Sequence, residues 1–353
     1  MTADRRAFLK GMALATATAA LRQAAGPLLA MDKAEKKTGE APLIGNIREV
    51  TISTDRLNES IEFYRKYFGY QVVASGDLND QGWRELWQLP RGTTAHAAVM
   101  RVPGHEEGGF RLVEFRPAPQ VFIRVPFRPL DTGHAGCDMS VPDLRVRLAA
   151  MVDEGYNLAS SVFNFIPPNT TATVTEAIAL GPTCERLPLV YYRQPGSTEP
   201  EPTSPTYVPL VSAFQGIDND IEDEAEFYKM LGLQVTRDRN FNSPEVNEAI
   251  GLPHDLRFRS VQLAHPHLPY GRISLAQFFN YRGRNVSDRS DPPNLGILMI
   301  SFRTSDMSEL LRRLRSAGAR IMGGPKRIRN AIYGSAQIVT VKRPNGAWLE
   351  FYS

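Results

Sequence analysis

Four strand-like stretches of this 353-residue chain place ionisable side chains on one of their two alternating faces. Side chains two positions apart share one face of a β-strand. In "IREVTISTD", Glu49, Thr51 and Ser53 face one way and Val50 and Ile52 the other. In "GHAGCDMSV", Ala135, Cys137, Met139 and Val141 form an apolar face, which leaves His134, Asp138 and Ser140 on the opposite side with Gly136 between them. In "FRLVEFR", Glu114 shares a face with Leu112 and Arg116, and in "ERLPLVYY" Arg186 shares one with Pro188, Val190 and Tyr192. Two carboxylates held close together cannot both ionise comfortably, so one pKa rises. One group can then act as a general base while another donates the proton. A guanidinium nearby can hold an anionic or enolate oxygen. If these strands line one wall, Glu49, Glu114, His134 and Asp138 are the catalytic candidates, with Arg116, Arg186, Ser140 and Tyr192 as binding residues.

The elements that must position these residues occur more than once. "SIEFYRKYFGYQVV" recurs as "EAEFYKMLGLQV", with Phe63 matching Phe227, and "ELWQLP" recurs as "EAIGLP". "FRLVEF" recurs as "ISLAQF", and "VPDLRVRLAAMVDEGY" as "TSDMSELLRRLRSAGA". The offsets are 164, 163, 163 and 163 residues, in the same order, which points to a tandem duplication. Each copy divides again into a strand, an amphipathic helix and shorter alternating segments. Leu57, Ile61, Tyr64 and Phe68 mark one helix, and Leu144, Leu148 and Met151 the next. The Pro-, Ser-, Thr- and Glu-rich run 194–206 reads as a linker. The expected layout is α+β: four βαβββ modules, two in a first domain (43–193) and two in a second (207–353).

Composition bounds the function class. At 42% hydrophobic and 22% charged, the chain is that of a soluble globular protein. Its first 30 residues stand apart: Arg5 and Arg6 precede Phe8-Leu9-Lys10 and a mild apolar run that Arg22 interrupts, too short to span a bilayer. The string D-R-R-A-F-L-K resembles a twin-arginine export signal. Removing residues 1–30 deletes four basic residues and one acid, so 41 basic and 38 acidic residues become 37 and 37. A neutral mature chain gives no reason to expect nucleic acid. Export would place Cys137 and Cys184 in an oxidising compartment, where they either pair or serve as two separate small core residues.

The phrase F-Y-R-K-Y-F-G-Y after a strand and helix, the turn "RPNGAWLEF" before the last strand and the paired modules resemble the vicinal oxygen chelate superfamily. That group includes glyoxalase, extradiol dioxygenases and bleomycin-binding proteins. The resemblance implies two cup-shaped domains, each holding a divalent metal between a His on a module's first strand and a Glu on its last. Here the implied first-strand positions are Glu49, Gly136, Ser212 or Ala213, and Met299, and the implied last-strand positions are Glu114, Pro188, Gln277 and Glu350. None is histidine. No metal or other cofactor is therefore expected; a metal site, if built at all, would use Glu49, Glu114 and His134.

With modules paired in chain order, the first cup would gather Glu49, Glu114, His134, Asp138, Arg116 and Arg186. These either form a site or satisfy one another as Glu–Arg and Asp–His pairs in a wet cup. The second would hold Gln277, Trp348 and Glu350 among aromatic and Met side chains, a composition that suits an aromatic ligand or a plain core. The expected function is acid–base chemistry of lyase or isomerase type on a small aromatic or oxygenated molecule, in a protein that is periplasmic or secreted. A non-catalytic small-molecule binder is the second reading, and a metal-dependent dioxygenase the third. The expected partners are that ligand, the twin-arginine machinery during transit and, as a candidate assembly, a second copy of the chain. Neither nucleic acid nor a membrane anchor after cleavage is expected.

Overall fold

The computed structural model describes residues 42–117, 121–193, 196, 211–267 and 270–353. The segment read as an export signal and nearly all of the linker lie outside these residues.

Four repeats of one plan follow in chain order. The first comprises β1 (Ile44–Ser53), α1 (Leu57–Phe68), β2 (Gln71–Leu78), α2 (Gln81–Leu86), β3 (Thr94–Arg101) and β4 (Gly109–Arg116). The second comprises β5 (Gly133–Ser140), α3 (Leu144–Asp153), β6 (Phe163–Phe165), β7 (Thr173–Leu180) and β8 (Arg186–Arg193). The third runs through β9 (Val211–Ile217), α4 (Ile221–Met230), β10 (Gln234–Phe241), α5 (Pro244–Ala249), β11 (Phe258–Ala264) and β12 (Arg272–Phe278). The fourth runs through β13 (Gly296–Thr304), α6 (Met307–Ser316), β14 (Arg320–Asn330), β15 (Gly334–Lys342) and β16 (Trp348–Tyr352).

The strands form two eight-stranded sheets, and their membership differs from chain order. One sheet joins the first module to the fourth through antiparallel pairing of β1 with β13; the other joins the second to the third through β5 and β9. The expected division into domains 43–193 and 207–353 therefore needs correction, because each cup draws one module from either side of the linker. The reason is physical. Every module leaves the same first-strand edge unpaired, so the duplication marks where modules begin without deciding which edges meet.

The long helices cover one face of each sheet. Phe63 and Tyr64 of α1, Leu148 of α3, Tyr228 of α4 and Leu310 of α6 share one apolar core with Val50, Leu112, Leu189 and Leu275 from both sheets. That core fixes which side of each strand remains for a cup. The first cup is itself packed: Asp80 caps α2 by accepting from the Trp83 amide at 2.6 Å, and the helix carries Trp83 and Trp87 into a cluster with Phe115, Met299 and Trp348.

Candidate functional site

The cup of the first and fourth modules holds a buried ionic cluster. Arg111 on β4 donates to both Glu49 on β1 and Glu350 on β16, the latter at 2.7 Å. Arg101 donates to the other Glu49 oxygen at 2.6 Å. Tyr333 and the Trp87 indole donate to Glu350 at 2.8 and 3.1 Å, and Ser301 adds a bond at 3.1 Å. Burial alone raises the Glu49 carboxyl, but Arg111 and Arg101 outweigh it and hold the group below its usual range.

Strand register explains this arrangement. Ser301 lies beside Glu350 in the fourth module, and Thr51 lies beside Arg111 in the first. Because Val50 faces Ile300 at the centre of the β1–β13 pair, Arg111 is the counterpart of Glu350. The implied last-strand position of the first module is thus Arg111, three residues before Glu114. Glu114 lies on the opposite face from Glu49, with Phe110 and Leu112, and pairs at 2.6 Å with the exposed Arg116. Correction is needed for both: Glu114 does not face Glu49, and Arg116 does not line a cup. The same slip applies to Gln277, which shares the helix-covered face with Leu275 and donates to the Asn219 carbonyl at 2.8 Å. Trp348 and Glu350 do face inward, but Trp348 is core and donates to Asp291 at 2.6 Å.

A divalent metal does not fit this cup. The two carboxylates already bind two guanidiniums, an indole and two hydroxyls, and among the described residues no imidazole bonds to them. Among the described residues no group of three His, Cys, Asp or Glu side chains converges as a metal site. His134 offers no rescue: a bulge in β5 sets it at the seam between the sheets, where its Nε2 donates to the Trp348 carbonyl at 3.0 Å. Burial lowers its pKa well below the usual range, so it stays neutral. Cys137 and Cys184 are both free thiols, the first buried in the core and the second half-buried.

The cup of the second and third modules is different. It encloses a cavity of about 180 Å3 whose lining includes Asp138, Glu176, Arg186, Tyr192 and Gln215. Three of the predicted residues, Asp138, Arg186 and Tyr192, meet here; Ser140 shares the strand but does not line the cavity. Local structure makes the room. At Gly136 an added Cβ would lie 2.8 Å from the Arg186 carbonyl oxygen and 3.0 Å from its Cβ, so glycine lets β8 approach and carry its guanidinium inward.

Burial pushes the Asp138 carboxyl up to about 7, against the pull of Arg272, Arg186 and a hydrogen bond from Gln215. Glu176 on β7 is pushed up to about 8, first by burial and then by the charge of Asp138. Arg186 is buried, its guanidinium 5.4 Å over the Phe127 ring, and its Nε has no hydrogen-bond partner; the same holds for Nε of Arg272. Glu176 and Arg111 were the residues that strand reasoning missed. Each sits among apolar neighbours of its own face, Glu176 between Val174 and Ile178, Arg111 beside Val113. A charge on the apolar parity of a strand was the available signal.

The architecture of two cups built from paired βαβββ modules is the vicinal oxygen chelate fold. Glyoxalase I from Zea mays has the same fold at a TM-score of 0.57 and 12% identity, covering 87% of this chain and 92% of that one. A candidate dioxygenase from Bacillus subtilis matches at a TM-score of 0.54 and 13% identity, covering 89% and 86%. Neither a protein-family model nor a curated protein matches the sequence. At these identities the likeness establishes the fold and leaves the chemistry to the site.

Proposed function

We propose that the chain is an exported, metal-independent enzyme whose site is the cavity between the second and third modules. There it performs acid–base chemistry of lyase or isomerase type on a small aromatic or oxygenated molecule. The observation that carries this reading is a pair of carboxyls, Asp138 and Glu176, both raised into the neutral range beside a buried guanidinium in one cavity. Perturbed titrating groups with convergent polar partners in a cavity cluster at functional sites.

The roles follow from the partners of each carboxyl. With both carboxyls raised by burial toward neutral pH, one can be ionised while the other keeps its proton, and Arg272, Arg186 and the Gln215 hydrogen bond favour the charge on Asp138. Asp138 then removes a proton from carbon next to a carbonyl or from a phenol, and Arg186 stabilises the oxyanion that forms. Glu176 returns a proton to a neighbouring atom in an isomerisation, or to the departing group in an elimination. The test is a screen of single-ring carbonyl and phenolic compounds for turnover, followed by Asp138→Asn and Glu176→Gln. Each variant should retain ligand binding and lose about 10²-fold or more in kcat. Wild-type turnover in both variants would refute the assignment, and binding without turnover in the wild type would favour a binding protein.

A further inference from the structure

The cavity has two unlike ends joined by an aromatic shell. Phe241 and Phe258 stack with centroids 4.7 Å apart and planes within 1°, Phe278 sits 5.2 Å from Phe258, and Phe163 and Phe165 stack across 5.8 Å. All five line the cavity. A void of about 150 Å3 is enough for benzene, so about 180 Å3 admits one ring with short substituents. The floor carries Asp138, Glu176 and Arg186.

The rim carries Arg237 and Arg239 from edge strand β10, two positions apart and on the cavity side. Asp238, between them, points outward and pairs with Arg259 at 2.7 Å. Neither rim arginine makes an ion pair among the described residues, and each lies close enough for their like charges to repel. Gln262, also in the lining, keeps a buried Oε1 without a hydrogen-bond partner. Two guanidiniums that face one opening with no acidic partner among the described residues suit an anion. At the floor Asp138 and Glu176 already share Arg186, whereas Arg237 and Arg239 have no carboxylate partner among the described residues, so a permanent negative charge is better matched at the rim.

We infer that the ligand is a single-ring aromatic acid, its ring inside the phenylalanine shell, its acidic group on Arg237 and Arg239, and its oxygenated opposite end at Arg186 and the two carboxyls. This rests on the cavity being the functional site and adds the chemical class of its occupant.

Calorimetric titration of the full chain at pH 7 with 4-hydroxybenzoate and its neutral twin 4-hydroxybenzamide tests it. The acid should bind at least about tenfold tighter than the amide, as expected for charge-assisted bonds. In the double variant Arg237→Gln/Arg239→Gln, whose half-exposed positions leave the core untouched, that preference should vanish while amide affinity stays within about twofold. Equal affinities in the wild type, or a preference that survives in the double variant, overturns the inference. Amide binding without acid binding would sink the acid assignment and keep the cavity as a ligand site; binding of neither would sink both.

Discussion

Replacing Asp138 by Asn removes one of the two raised carboxyls, and its effect on stability can be worked out from the structure. The group moves from 3.8 to about 7 on folding, so the folded chain holds a proton that the unfolded chain has released. Such a group stabilises the fold below its unfolded pKa, and that stability is lost as pH rises through the folded value. Between pH 5 and pH 8.5 the folded chain gives up this proton while the unfolded chain stays ionised throughout, a difference of about 3 kcal/mol at about 1.4 kcal/mol per pH unit. Asp138 is half-buried and faces the cavity, where water screens part of the cost, so about 1–2 kcal/mol is expected. Asparagine mimics the protonated form, and the variant should match the wild type at pH 5. Urea unfolding at both pH values gives the comparison: the wild type should lose about 1–2 kcal/mol more than the variant on going to pH 8.5. Parallel profiles would mean that Asp138 ionises normally and that the proposed base is an ordinary solvated carboxylate.

Further perturbations separate the two cups. Arg111→Met leaves the buried Glu350 with no guanidinium and Glu49 with Arg101 alone, and should cost about 3–5 kcal/mol in chemical denaturation. Glu114→Gln touches only an exposed pair with Arg116 and should change stability by less than about 0.5 kcal/mol. Gly136→Ala should destabilise by about 1–3 kcal/mol and weaken ligand binding, because the new methyl group meets the Arg186 backbone. Arg5→Lys with Arg6→Lys should leave unprocessed precursor in the cytoplasm on fractionation, and unchanged periplasmic delivery of the double variant would refute the twin-arginine assignment.

The modules were legible because helical and strand periods recur at a fixed offset, and each strand's two faces could be sorted by alternation alone. Two properties were not legible. Which modules share a sheet depends on edges that look alike in sequence, so Asp138 and Arg186 were grouped with Glu49 although they occupy another cup. Which face of a strand looks inward depends on where the helices pack. On β4 both faces carry a charge, Arg111 on one and Glu114 on the other, and the choice of the carboxylate put the inward residue three positions late. Glu176 escaped because β7 places it between two apolar residues of the same face. Its burial, which raises its pKa, is also what made it look like core.

The central claim is that function resides in the cavity between the second and third modules. Crystals soaked with the tightest-binding compound of the aromatic screen test it most directly. The account predicts density for the ring against Phe258, within hydrogen-bonding reach of Arg186 or Asp138. Density instead in the first cup, displacing Arg111 from Glu49 and Glu350, would contradict it.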